Sequence, residues 1–296
     1  MSHSQTDSRS IFSSPVRTVT TASGTITYAE AGSGSGPVAV FVHGVFLHHG
    51  LWAAQLAALS DVRRCLAPDL LAHGGSALAP AGGEPLDLRA QARMIIDFLD
   101  ALGVYQADLV GNDTGGAICQ LAAVMAPDRF RSLTLTNCDV HDNWPPPPFM
   151  PIVDLARQGV LATALPTLAG TADQIRAGMG SSFEHPEDMP DEVLLSFFAP
   201  FADPARAKAL QGYVAGMDNA VTVAIRDDLA KLTVPTQMVW GTGDEFFTLS
   251  WAQWLADTIP GAQRIVEVDG AKLFFPVERP EELNRPLREL WTAAAG

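Results

Sequence analysis

Basic residues are scarce. Against 33 acidic side chains the chain sets 19 lysines and arginines, a net charge of -14, which excludes an electrostatic grip on nucleic acid or anionic lipid. Cysteine is also rare: Cys65, Cys119 and Cys138 show neither CxxC nor metal-type spacing. An odd number in a long chain reads as reduced, small buried hydrophobes rather than a disulfide framework. No apolar run reaches the length of a membrane-spanning helix, and the polar opening MSHSQTDSRSIFSSPV lacks the apolar stretch of a signal peptide. Residues 1–14 are therefore expected to form a loose tail, and the protein to be cytoplasmic, with no membrane or nucleic-acid partner. No His, Cys or carboxylate cluster has ligand spacing, so neither metal nor cofactor is expected.

What is present is a chain of 296 residues, 47% of them hydrophobic, enough for one large α/β domain with a sizeable insertion. RTVTTASGTITYAEAG alternates around a Ser-Gly turn as a β-hairpin does. VAVFVHG is a continuous apolar run, the pattern of a strand buried on both faces. LWAAQLAALSD reads as helix, RRCLAPDL as strand, and LDLRAQARMIIDFLDALGV as a helix closed by glycine. ADLVGNDTGGAICQLAAVMAPD then gives strand, tight turn and helix, and FRSLTLTNCD another strand. The alternation predicts an α/β fold, a doubly wound and mostly parallel sheet with helices on both faces. From 141 to 230 the rhythm fails: NWPPPPFMP continues neither element, since proline fixes φ and removes a donor. VDLARQGVLATAL, DEVLLSFFAPF and ARAKALQGYVAGM read as helices. The core is thus expected at 15–140 and 231–296, resuming with PTQMVWGTGDEF, and 141–230 forms an inserted helical cap.

LVGNDTGGAI sets Asp113 between Gly111 and Gly115, on the turn from strand to helix. Such a turn is too tight for side chains on either flank, and it projects its central residue from the carboxyl edge of the sheet. The Thr114 amide, at the positive end of the helix, and the Val45 amide, in the loop after VFVHG, are expected to face a developing oxyanion. The bland alternative is a packing turn with Asp113 as helix cap.

With VHG, APDLLAHGGS, VGNDTGGA, WGTGDEF and ERPEEL in order along nearly the whole chain, the sequence resembles the α/β-hydrolase fold superfamily. The resemblance is to its haloalkane dehalogenase and epoxide hydrolase branch, in which the elbow residue is aspartate. It implies that Asp113 attacks carbon to form an alkyl-enzyme ester, that an acid orients a histidine, and that the histidine activates water. Asp244, in VWGTGDEFF, stands at the family's acid position, and Asp139, in TNCDVHDNW, at the other place where the superfamily keeps an acid. The histidine is missing: counting back from Glu278-Arg279-Pro280 puts Leu273 in its place. Leucine accepts no proton. His48 and His49 after the oxyanion loop and His141 at the cap entrance are the candidate replacement bases, while His43 and His73 read as structural. Two further departures concern halide and epoxide chemistry. Val45 and Thr114 replace the asparagine and tryptophan that hold a halide in dehalogenases, and the cap's lone tyrosine is Tyr213.

Around this core His43, Phe46, Asn112, Trp144, Phe149, Tyr213, Leu273 and Phe274 are expected at an apolar substrate pocket, with further aromatics such as Trp52, Phe183, Phe197 and Phe201 shared between pocket and core. Three readings follow. In the first, Asp113 is an acid/base for cofactor-independent, non-hydrolytic chemistry on a bulky apolar carbonyl compound of specialised metabolism. In the second, a true epoxide or alkyl-halide hydrolase draws its base from elsewhere. In the third, the pocket only binds a ligand. All three expect a small-molecule partner and a monomer or homodimer.

Overall fold

The computed structural model describes residues 14–33 and 36–293, so the expected tail lies, apart from Ser14, outside the described residues. β1 (Val16–Thr21) and β2 (Gly24–Ala31) form the antiparallel hairpin. β3 (Val38–Val42) is buried along its whole length, as its unbroken apolar run requires. α1 (Ala53–Leu59), β4 (Arg64–Pro68), α2 (Leu88–Ala101), β5 (Ala107–Asp113), α3 (Thr114–Met125) and β6 (Phe130–Cys138) continue the alternation.

Between β6 and the next strand the described chain contains no strand. It builds α4 (Met150–Arg157), α5 (Leu161–Leu168), α6 (Ala172–Met179), α7 (Asp191–Phe198), α8 (Pro204–Ala215), α9 (Ala220–Ala224) and α10 (Arg226–Leu229). The segment VDLARQGVLATAL, expected as one helix, is two, because Gly159 takes φ 77° and turns the chain between α4 and α5. β7 (Thr236–Gly241), α11 (Leu249–Thr258), β8 (Ala262–Val268), α12 (Phe275–Glu278) and α13 (Pro280–Ala293) complete the chain.

The sheet has eight strands in the order β1-β2-β4-β3-β5-β6-β7-β8. Its β1-β2 and β2-β4 pairs are antiparallel and the remaining pairs parallel. α1 packs with α13 and α2 with α3, giving the flanking helix layers that a parallel sheet needs to bury both faces. β3, β5 and β6 lie side by side at the centre, so the loops leaving their carboxyl ends converge on one spot. The inserted helices sit over that spot and are tied to the core. The Glu278 carboxylate accepts the amides of Glu184 at 2.9 Å and His185 at 2.8 Å, and the Phe274 amide donates to the Ser182 carbonyl at 3.0 Å.

Candidate active site

β5 delivers Asp113 and α3 starts at the next residue. Asp113 has φ 56° and ψ -135°, a conformation that a side chain adopts only when the surroundings impose it. The imposing contacts are close: a Cβ on Gly111 would lie 2.6 Å from the Gly115 carbonyl oxygen. Asp113 makes no capping bond to α3. Its Oδ2 instead accepts the Val45 amide at 3.0 Å. Val45, whose amide is one of the two expected to face a developing oxyanion, thus holds the elbow carboxylate. Gly44 permits this, since any Cβ there would overlap the Asp113 carboxylate.

Asp113 opens onto a cavity of about 340 Å³. Val45, Thr114, Asp139 and Leu273 share its floor with Asp113, while Phe46, Trp144, Phe149, Phe198 and Phe274 are among its walls. Phe46 stacks on Phe198 with ring centres 5.8 Å apart. Ile152, Leu161, Leu165 and Leu168, from α4 and α5, also line it and were missed. Their only signal was apolar periodicity, which pocket and core share. Trp52, Phe183, Phe197 and Phe201 are core.

Three buried acids act on one another here; Asp113 and Asp139 line the cavity, and Asp244, expected as the catalytic acid, does not. Burial raises the Asp113 carboxyl from 3.8 to about 7, against the pull of the Thr114 and Val45 amides, and neighbouring Asp244 pushes the same way. Burial, followed by the charge of Asp113, holds Asp139 well above the usual carboxylate range. Burial also lifts Asp244 to about 6, although the Phe246 and Phe247 amides, Asn137 and Lys272 oppose it. Asp244 lies at the end of β7, 4% exposed, with its Oδ1 on the Phe246 amide at 2.8 Å. Among the described residues its Oδ2 has no hydrogen-bond partner of ordinary geometry. Leu273 is 4% exposed on the cavity floor, and Asn112 fixes its backbone by donating Nδ2 to the Leu273 carbonyl and to Thr136 Oγ1, each at 2.9 Å. Among the described residues, no histidine, lysine or arginine lines the cavity.

A family model described as alpha/beta hydrolase fold matches residues 37–278. The chain belongs to the alpha/beta hydrolase fold family. Epoxide hydrolase A of Mycobacterium tuberculosis is 26% identical to it, covering 89% of this chain and 92% of that one. Haloalkane dehalogenase 2 of Mycobacterium bovis is 28% identical over 90% and 91% of the two chains. 3-Oxoadipate enol-lactonase 1 of Acinetobacter baylyi is 24% identical over 85% and 87%. Among solved structures, haloalkane dehalogenase from Bradyrhizobium elkani superposes with a TM-score of 0.77 at 19% identity, covering 95% of this chain and 98% of that one.

Several residues expected at the pocket of this alpha/beta hydrolase stand outside its lining. His43 is fully buried beneath it, with Nδ1 on the Gly44 carbonyl at 2.8 Å and Nε2 accepting the Leu70 amide at 3.0 Å. Burial, then the charge of His73, lowers it to about 3, so it is a neutral pin between two loops. Asn112 acts through the Leu273 backbone, as above. Tyr213 is buried beside His73. The three candidate bases are elsewhere too. His48 accepts the Gly50 amide at Nδ1 (2.9 Å) and meets the Ser196 carbonyl of α7 at Nε2 (3.1 Å). His49 holds Asp69 at 2.8 Å. His141 stacks on Trp254 with ring centres 4.8 Å apart.

The histidine pair nevertheless forms a grouping the sequence did not suggest. Ligating atoms of His48, His49 and Asp69 fall within 4.8 Å of one another, as do those of exposed His185, Glu187 and Asp188. In the first group the atoms already serve internal bonds, including Asp69 Oδ2 to the Gly75 amide at 2.9 Å. The three cysteines are buried and unpaired. Among the described residues no helix is long and apolar enough to cross a membrane.

Proposed function

We propose that this alpha/beta hydrolase-fold chain is a cofactor-independent, non-hydrolytic enzyme in which Asp113 takes a proton from a bulky apolar carbonyl compound and returns it. The observation that carries this reading is a cavity floor on which the elbow carboxylate meets Leu273 and, among the described residues, no histidine. Hydrolysis through an alkyl-enzyme ester needs a base on water, and leucine supplies none. Proton transfer needs only a carboxylate whose affinity for the proton is near the working pH. Asp113, raised to about 7, meets that condition. Isomerisation, elimination, cyclisation and addition all proceed by such a step, and each suits the specialised-metabolism role expected for a pocket walled by Phe46, Phe149 and Phe198.

A second reading has its own support. The Val45 amide that holds Asp113 Oδ2 also suits a carboxylate that attacks carbon, and two relatives carry the names epoxide hydrolase and haloalkane dehalogenase. Intact-protein mass after incubation with small alkyl halides and epoxides, with Asp113→Asn as control, separates the two. Unmodified protein with reagents intact supports proton transfer. A stable adduct on the unsubstituted protein alone supports a nucleophile stalled after its first half-reaction, and reagent consumed without adduct supports a complete hydrolase.

A further inference from the structure

Asp139 follows β6, is 1% exposed and lines the cavity beside Asp113. Among the described residues neither of its oxygens has a hydrogen-bond partner of ordinary geometry, although the Thr114 side chain lies close enough to favour its charged form. The titratable groups that bear on it are Asp113, Asp244, Cys138 and Tyr213, none of them a cation. A buried carboxylate without a cation or donors is the costly form of the group, and the neutral acid is the form such a place holds. A neutral carboxylic acid has one O–H to donate. The cavity is where an unpartnered donor on its floor finds an acceptor. At the same time the Val45 amide is engaged by Asp113 Oδ2, so it is not free to hold a substrate oxygen that gains charge.

We propose that Asp139, as a carboxylic acid, is a further catalytic residue that donates its O–H to the substrate's carbonyl oxygen, so that the site takes neutral ketones or aldehydes bearing a C–H beside the carbonyl. This rests on the reading of Asp113 as the proton-transfer group. In the step, the Asp113 carboxylate removes the proton from the carbon next to the carbonyl. The C–H pair becomes the carbon–carbon π bond, and the carbonyl π pair moves onto oxygen under the Asp139 hydrogen bond. Return of the proton from Asp113 to the same carbon, or to a conjugated one, restores both groups with no oxidant, reductant or water consumed. The cavity excludes anionic substrates, because its floor already holds two acids and its lining has no lysine, arginine or histidine among the described residues. A developing enolate is tolerated because the proton that creates it has just neutralised Asp113.

The test uses 2-naphthol, a flat mimic of the enolised oxygen whose emission distinguishes naphthol from naphtholate. Titration is done on the full chain carrying Asp113→Asn, so the outcome is independent of whether Asp113 transfers protons. We expect 2-naphthol to bind, Asp139→Asn to stay within about tenfold because it keeps an N–H donor, and Asp139→Leu to weaken binding by roughly 10- to 100-fold, the cost of leaving one buried oxygen without its donor. Thermal melting of each variant establishes that it is folded. Equal affinity in Asp139→Leu overturns the proposal. So does tighter binding of benzyltrimethylammonium than of its neutral carbon analogue, which would mark Asp139 as an anion awaiting a cationic ligand.

Discussion

Replacing Asp113 by asparagine should make the protein more stable while abolishing its proposed chemistry. Its carboxyl is raised from 3.8 to about 7 in the folded state, so between those values the folded chain binds a proton that the unfolded chain releases. Stability therefore falls as pH rises through this window, and the full loss is present above pH 7. About three pH units at roughly 1.4 kcal/mol each put the cost near 4 kcal/mol. Asparagine carries no charge and keeps one acceptor for the Val45 amide, but that bond is then to a neutral oxygen rather than a charged one, which offsets about 1 kcal/mol. A net gain of about 2–3 kcal/mol remains at pH 8, equivalent to a Tm rise of roughly 5 °C for a chain of this size. At pH 4 the gain should vanish, since both chains then hold a neutral group there. Differential scanning calorimetry at pH 4, 6 and 8 reads this directly. A variant less stable than the parent at pH 8, or a difference independent of pH, would refute the reasoning and mean that the Asp113 charge is fully compensated.

Three other substitutions probe the same floor. Gly44→Ala sets a Cβ against the Asp113 carboxylate and should lower kcat on the order of 100-fold by displacing it, with circular dichroism unchanged. Leu273→His places an imidazole on the cavity floor and should confer hydrolysis of epoxides or alkyl halides that the parent leaves intact, with oxygen from labelled water appearing in the product. Asn112→Ala removes buried bonds to Thr136 and to the Leu273 carbonyl and should cost about 1–3 kcal/mol in urea unfolding. Unchanged stability would mean that the Leu273 backbone is fixed by other contacts.

Much of the frame was legible in the sequence because local signals carry it. The glycines around Asp113 announce a turn with one admissible geometry, and β3 and β5 are runs that suit only buried parallel strands. Leu273 was found by counting from Glu278-Arg279-Pro280, and it does line the cavity. What sequence could not give depends on groups far apart in the chain. Val45 and Asp113 are separated by 68 positions, so nothing local told that the Val45 amide would close on the carboxylate. His48 seemed free to turn inward until α7 supplied the Ser196 carbonyl 148 positions later. The aliphatic walls from α4 and α5 share their periodicity with core residues, and only the packing of α5 on α8 separates the two roles. Gly159 broke a helix whose apolar spacing continued across it.

The most direct measurement of the central claim is hydrogen–deuterium exchange into a panel of bulky apolar ketones in heavy water, followed by NMR on the unsubstituted protein and on Asp113→Asn. The account predicts deuterium entering the carbon beside the carbonyl with the unsubstituted protein, fastest where Asp113 is ionised at neutral pH and above, and none above background with the variant. Equal exchange by both proteins, or no exchange alongside a covalent adduct on Asp113, would contradict it.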